Sequence, residues 1–469
     1  MARTDDATTR QGPFVSVGGG SALPPLSTSQ KVREPQSSLC APNCPQLGLL
    51  GSSAGVQEGQ WQHRGDDDHG LSEIGCYGAD AYKTPRIDQL ADTGTRFEYC
   101  YAMPLCGPSR AMALTGRYPF RTGLINNNSH EAIQPSREVM IQTVLKKAGY
   151  VTAQVGKWGQ MSHGPVEWGF DESLYFPGSG RYWREQTRFY TQNGRRKQLR
   201  QGEYLPDLMH AFAVDFMRRH KSQPFFLYYP MSHIHGPIVP TPDSKPGATA
   251  RALYADNIAY MDKLVGKLVD EIDQLGLRES TLIVFSGDNG TAGQGQQTST
   301  LHGRRISGKK ASMQEGGSRV PLIVNWPKTT PAGVVNHDLT DFSDFFGTFT
   351  EMAEATPPAG VTVDARSFAA QIRGQKGQPR EWVYVELNGK SYVRDARYKL
   401  TNHGELFDMK DAPFTEIPVP ATTTDAGAIA ARKRLADVLK GLPTATGSGA
   451  AASGRTTPKK KQKKAPAEN

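Results

Sequence analysis

From about residue 65 onward the chain alternates between two hydrophobic rhythms. Leu253, Ile258, Met261, Leu264, Val265, Leu268, Val269 and Ile272 recur at helical spacing, and Gly276 stops the run. The apolar stretch 281–285 follows as a strand and opens onto Ser286-Gly287-Asp288-Asn289-Gly290. The same succession occurs twice upstream. A helix over 207–219 leads into the apolar run 224–229 and then Ser232-His233-Ile234-His235. A shorter helix, capped by Ser136 and carrying Val139, Met140, Val144 and Leu145 as far as Gly149, leads into the strand 150–155 and then Gly156-Lys157-Trp158. A later apolar run, 320–326, precedes a helix around 341–353.

Strands separated by helices predict an α/β fold, a mainly parallel central sheet covered by helices on both faces. Ligands of such sheets gather beyond the carboxyl ends of the strands, where the polar clusters of this chain fall. After residue 380 the texture changes. Asn388-Gly389 between the runs 382–387 and 392–394 is a hairpin signal. A second pair, 398–400 with 405–407, and a helix over 426–439 complete a small C-terminal antiparallel-sheet subdomain. The expected division is an unstructured segment 1–64, a catalytic α/β domain 65–375, the subdomain 376–442 and a disordered tail 443–469.

Composition narrows the class. The 469 residues are 37% hydrophobic and 22% charged, a globular balance, and no apolar run approaches the roughly 20 residues that cross a bilayer. No membrane span is expected. The net charge of +9 suggests nucleic acid until it is located. Residues 455–469 carry six lysines and arginines against one glutamate, so five of the nine charges sit in the tail, and no nucleic-acid partner is expected. The opening MARTDDATTRQGPFVSVGGG has neither a basic start nor an apolar core, so it is not a standard signal peptide. Five cysteines (Cys40, Cys44, Cys76, Cys100 and Cys106) do not describe a disulfide framework. Cys40 and Cys44 lack a second pair to complete a zinc site.

Three clusters carry chemistry. Asp66-Asp67-Asp68-His69-Gly70 taken alone is a solvated acidic loop, and Asp288-Asn289 taken alone is a turn. Together they offer hard oxygen ligands, suited to calcium or magnesium and not to zinc, although spacing does not bring them together in space. The third cluster runs Cys106-Gly107-Pro108-Ser109-Arg110 to Thr115-Gly116-Arg117. It puts a thiol beside an arginine at the entry to a helix, where a thiolate is favoured; a small buried cysteine is the plainer reading.

That stretch resembles the signature of the formylglycine-dependent sulfatases, C-x-P-S-R-x-x-x-x-T-G-R, a family of the alkaline-phosphatase-like α/β superfamily. The likeness extends over about residues 65–415. It takes in Gly75-Cys76-Tyr77-Gly78, the stretch from Thr84-Pro85-Arg86 to Leu90, Glu315-Gly316-Gly317 with Arg319-Val320-Pro321, and Leu406-Phe407-Asp408. The resemblance implies that a formylglycine-generating enzyme oxidises Cys106 while the chain is unfolded. It implies one divalent ion, calcium before magnesium, held by Asp67, Asp68, Asp288, Asn289 and the modified Cys106. Arg110 would hold the formylglycine, and Lys157 and Lys310 would face the sulfate. His235 is the matching histidine, ahead of His233. The substrate would be a sulfated small molecule or sulfated sugar. The family is mostly exported; localisation is left open.

Two departures stand out. The family has a histidine after its Gly-Lys-Trp, where this chain has Gly159; His163 is the nearby substitute. The family also enters its first carboxylate pair from an apolar β-branched strand, whereas here the approach is Gln60-Trp61-Gln62-His63-Arg64-Gly65, too polar for a doubly covered strand. Either the sheet lacks a central strand or the N-terminal segment is not the family's own, as a displaced start or reading frame would produce. The leading function is sulfuric ester hydrolysis. A phosphomonoester or phosphodiester hydrolase is the near alternative, and an inactive or purely binding member is the third. The aromatic and basic stretch 176–190 either lines a pocket for an anionic sugar or packs under the sheet.

Overall fold

The apolar runs form the middle of one large sheet in the computed structural model, which describes residues 46–52, 69–159, 161–176, 178–296 and 298–442. In chain order its strands are β1 (Gln46–Ser52), β2 (Thr95–Tyr101), β3 (Val151–Lys157), β4 (Glu172–Phe176), β5 (Phe189–Gln192), β6 (Arg195–Gln198), β7 (Phe225–Met231), β8 (Thr281–Gly287), β9 (Arg319–Asn325) and β10 (Val334–Asp341). They lie in the order β10-β2-β9-β8-β1-β7-β3-β4-β5-β6. Strands β8, β1, β7, β3 and β4 are parallel neighbours, while β9 runs antiparallel to both β8 and β2. Two reversals leave β2 pointing the same way as β8. The carboxyl ends of β2, β8, β1, β7 and β3 therefore share one edge.

Period-two alternation sorts the strand residues onto two faces. Leu47, Phe226, Tyr228, Leu282 and Val284 join one core with the helices Cys106–Thr115 and Asp344–Met352. Phe225, Leu227, Tyr229, Ile283 and Phe285 join the other with the long helix Ala250–Gln274. Both faces are covered, as the uninterrupted apolar runs require.

The C-terminal sheet is an antiparallel meander of β11 (Val383–Leu387), β12 (Lys390–Arg394), β13 (Tyr398–Thr401), β14 (Leu406–Asp411) and β15 (Thr415–Val419), closed by the helix Ala426–Gly441. Asn388 (φ 50°) and Gly389 (φ 80°) make the hairpin turn, each with the positive φ such a turn needs. Val383, Val385, Tyr392 and Leu400 belong to the first core, so this sheet shares apolar packing with the large one.

The structure corrects the reading of the first strand. The central position is filled by Gln46–Ser52, inside the segment expected to be unstructured. With Gly48 and Gly51 among seven residues and no β-branched side chain, QLGLLGS has weak strand propensity, and its neighbours on either side supply the pairing instead. Leu47 pairs with Phe226 and Leu282 and is fully buried. Gln46 exchanges hydrogen bonds with the backbone, donating to the Gln223 carbonyl at 3.1 Å and accepting from the Phe225 N–H at 2.6 Å.

Smaller differences have local causes. Ser136 caps nothing: the helix is Ile141–Lys147, with Met140 at its N-cap, because 134–138 forms a turn whose Glu138 is held by Arg117 at 2.7 Å. The helix expected from 341 starts at Asp344, since Asp341 still belongs to β10. Among the described residues no helix is long and apolar enough to cross a membrane.

If Gln46–Ser52 is the central strand, Leu47→Ala should destabilise the protein by about 2–4 kcal/mol in urea unfolding, the range for a large-to-small change in a tight core. An unchanged midpoint would place this segment outside the sheet.

Candidate active site

The helix Cys106–Thr115 follows β2 and is buried along its whole length, with Cys106 in its first turn. Leu105 precedes it and offers no side-chain cap. The Gly107 N–H is taken instead by Asn127 Oδ1 at 3.1 Å, and Asn127 Nδ2 lies 3.5 Å from Cys106 Sγ. An electronegative atom at position 106 thus meets the helix's positive end and a fixed amide. The other end closes at Gly116 (φ 67°), where a Cβ would lie 2.9 Å from the Phe346 side chain.

Arg110 reaches from this helix across the strand ends. Its guanidinium is buried; Nε and Nη2 each approach Asp288 Oδ2 at 3.4 Å, and Nη1 approaches the Lys157 carbonyl at 3.3 Å. One side chain therefore connects the ends of β3 and β8 to the Cys106 helix. Gln154, also fully buried, donates to the Gly156 carbonyl at 3.2 Å and braces the end of β3.

Positive charge is crowded here. Lys157 is completely buried, and that burial drives its ammonium well below the ordinary lysine range; repulsion from Lys310 adds to this and attraction to Asp288 opposes it. His235 is likewise pushed well below the ordinary range, by burial first and by Lys310 second. Lys310 thus acts on both residues. Its own N–H is tied to the Thr291 carbonyl at 2.9 Å. His235 Nδ1 bonds the Gly236 carbonyl, which only accepts, so Nδ1 carries the proton and Nε2 is the basic nitrogen of the neutral ring.

Asp67 and Asp68 lie outside the described residues, as does the whole of 53–68. The residues that follow them do not. The Gly70 N–H donates to Glu73 Oε2 at 2.9 Å and to Thr291 Oγ1 at 3.1 Å, and a Cβ on Gly287 would lie 2.3 Å from the His69 carbonyl oxygen. The chain leaving the acidic run is seated against the end of β8. Among the described residues no group of three His, Cys, Asp or Glu side chains could hold a metal. Yet Asp288 Oδ1 and Asn289 Oδ1 are both buried without a hydrogen-bond partner. Such orphans are costly, roughly 1–3 kcal/mol each, and two hard oxygens with unused lone pairs fit a divalent cation.

The two histidines held as alternates sit elsewhere. His163 is exposed, with Nδ1 2.9 Å from Ser162 Oγ. His233 is fully buried among Tyr182, Tyr204 and Tyr260, and its Nε2 is 3.0 Å from the Tyr204 hydroxyl. Sequence reasoning missed Asn127 and Gln154. The run Asn126-Asn127-Asn128 was a visible signal for the first; a glutamine within an apolar strand was the signal for the second.

Comparisons with known proteins bear on the family and the fold. The Sulfatase family model matches residues 63–355. Canine N-acetylgalactosamine-6-sulfatase is 32% identical over 373 residues, covering 71% of this chain and 69% of the relative. Human arylsulfatase D is 30% identical over 434 residues, with 73% of each covered. Solved structures of Ps i-CgsB, alone and with k-i-k-neocarrahexaose, align at TM-scores of 0.70 and 0.68; each is 25% identical and covers 85% of this chain and 92% of that one. The fold and site define a hydrolase built on a large α/β sheet. The chain belongs to the sulfatase family, and it is a sulfuric ester hydrolase.

Burial lowers the His233 pKa from 6.5 to about 3, with a lesser push from His69. Below pH 6.5 the unfolded chain binds a proton that the native ring refuses until about pH 3. The stability this residue contributes is therefore present above pH 6.5 and lost as pH falls towards 3, by up to about 1.4 kcal/mol per unit. His233→Gln should flatten the acid limb of the unfolding free energy by about one proton between roughly pH 6 and 4. An identical slope in the variant would show that the ring is not held neutral.

Proposed function

We propose that this protein hydrolyses the sulfate ester of a sulfated sugar, with a formylglycine made from Cys106 and one calcium ion. The observation that carries the reading is the pair of partnerless buried oxygens, Asp288 Oδ1 and Asn289 Oδ1, at the sheet edge where Cys106, Arg110 and Lys157 converge. Asp67 and Asp68 complete the proposed ligand set with the modified Cys106; the seating of His69 and Gly70 beside Gly287 and Thr291 supports their proximity. When present, the hydrated aldehyde would supply two hydroxyls on one carbon, and a cation held by these residues would acidify one of them and offset sulfate charge.

The chain's own residues do the rest. Asn127, which lies against Cys106 Sγ and the Gly107 N–H, would orient the group at position 106, and Arg110, one turn further along the same helix, would help to hold it. Lys157 and Lys310 would face the sulfate, whose negative charge favours the Lys157 ammonium that burial and its neighbour disfavour. His235, kept neutral, would exchange a proton at Nε2 with the leaving oxygen. A sulfated sugar is preferred as substrate because the relatives bear such names: N-acetylgalactosamine-6-sulfatase is among them, and Ps i-CgsB has been solved with k-i-k-neocarrahexaose. The inactive-member reading rested on a missing central strand, and Gln46–Ser52 fills that place.

Three experiments test the reading. Active protein should carry an aldehyde at position 106, seen as a mass change in the peptide and as reaction with a hydrazide; full activity from protein with a free thiol there would overturn the mechanism. Cys106→Ala should abolish hydrolysis of aryl sulfate. Asp288→Ala should lower turnover by at least about a hundredfold and remove the calcium-dependent rise in unfolding midpoint that the wild type shows. A variant that kept that rise would exclude Asp288 from the metal site.

A further inference from the structure

The positive charge of the folded body is concentrated in one place. Residues 181–203 carry seven arginines and lysines against Glu185 and Glu203, a net of five. The tail holds another five of the total of nine, so the remainder of the chain is close to neutral, at minus one. Arg181, Arg188, Arg195, Arg196, Lys197 and Arg200 are exposed, and Arg184 is half-buried. Among the described residues none of the seven is paired with a carboxylate. Five exposed arginines elsewhere are closed, Arg218 on Glu271, Arg219 on Glu172, Arg304 on Asp411, Arg397 on Asp408 and Arg434 on Asp395, whereas Arg137, Arg251 and Arg366 are exposed with no ion pair among the described residues but stand singly, far apart in the chain.

The topology joins this patch to the active centre. Phe176, the last residue of β4, pairs with Lys157. The chain then passes Gly180, where a Cβ would lie 2.3 Å from the His235 carbonyl oxygen, and Arg181 is next. The β5–β6 hairpin returns along β4 with Thr191 opposite Tyr175. Its Arg188 and Phe189 end therefore lies at the catalytic rim, and the Leu199 N–H bonded to the Arg188 carbonyl at 2.9 Å brings Arg200 there too. The Arg196 guanidinium stacks over the exposed Phe189 ring at 3.8 Å, which fixes its plane. Strand β6 is three strand spacings from β3, about 14 Å. Unpaired like charges along an edge strand cost stability, and a polyanion lying on them would remove that cost.

We infer that the segment 181–200 is an exosite for a sulfated polysaccharide chain, which holds the polymer while one of its sulfate groups occupies the active centre. This rests on the sulfatase reading of that centre, which is also why a sulfated glycan is favoured over a nucleic acid: the patch continues into a site for sulfate esters.

The test uses the full-length protein and fluorescent dextran sulfate at low salt. Combined Arg188→Ser, Arg196→Ser, Lys197→Ser and Arg200→Ser should weaken binding by at least about tenfold and reduce the slope of log Kd against log salt by about two to four. Its kcat/KM on a small aryl sulfate should stay within about twofold of wild type, while KM on a sulfated polymer rises. A milder Lys197→Ser, Arg200→Ser pair keeps the Arg196–Phe189 stack and should show an intermediate loss. Wild-type affinity in the fourfold variant would overturn the exosite. So would a loss reproduced by changing only the five tail lysines to serine, or tighter binding of duplex DNA than of dextran sulfate. Cys106→Ala should bind dextran sulfate normally. Binding that depends on the hairpin in a protein without sulfatase activity would leave the exosite standing and remove the catalytic reading.

Discussion

The buried Arg110 guanidinium is the constraint on which the site depends. It fastens Asp288 and the Lys157 carbonyl to the helix that begins at Cys106, so two strand ends and one helix are held by a single side chain. Removing one partner from a buried ion pair costs about 3–5 kcal/mol, because the survivor stays charged without compensation. Arg110 nevertheless leaves Asp288 Oδ1 unclaimed. The arrangement therefore divides the carboxylate, with one oxygen held by Arg110 and the other buried without a hydrogen-bond partner.

A second buried network holds the loop that carries Lys310. Arg394, from β12, donates to Glu315 Oε1 at 3.0 Å, and Tyr101 of β2 donates to Glu315 Oε2 at 2.9 Å. Lys399 of β13 bonds Glu416 and the Met313 carbonyl, while Glu416 accepts from the Glu315 N–H. Net positive neighbours hold the Glu315 carboxyl below the usual range in spite of its complete burial, which otherwise raises it. The small C-terminal sheet is thus a clamp on 313–317. Gly317 accepts from the Gly290 N–H, two residues beyond Asp288, and Gly316 packs so closely there that no side chain fits at Gly290.

The sequence was most readable where one rhythm dominated. The helix 250–274, the strands around it and the Asn388-Gly389 hairpin followed from periodicity and turn chemistry, and the cysteine signature led to the family because many positions are constrained at once. Strands β2 and β10 were not seen. β2 (TRFEYCY) mixes charge with aromatics, and β10 (VVNHDLTD) is an edge strand with an exposed beginning. β1 escaped for a different reason: its partners are about 180 and 235 positions away, and no local pattern records that. Arg110 and Lys157 could be named from motifs, but their common contact with the end of β3 needed the sheet. The unpaired state of the basic hairpin needed it too, since charge counting cannot tell a closed arginine from an open one.

The place of β1 also sets a timetable. A strand flanked on both sides by β7 and β8 has no slot to enter until residue 287 has been made, although it is the first part of the sheet to leave the ribosome. Until then the large sheet is split at its middle, and Arg110 on the helix bearing Cys106 lacks its Asp288 partner at the end of β8. At about 5–20 residues per second, the stretch from position 106 to the end of β8 takes on the order of 10–40 seconds to synthesise. An enzyme that modifies Cys106 only in an unfolded chain would have that interval, and the long-range pairing of one glycine-rich strand is what keeps it open.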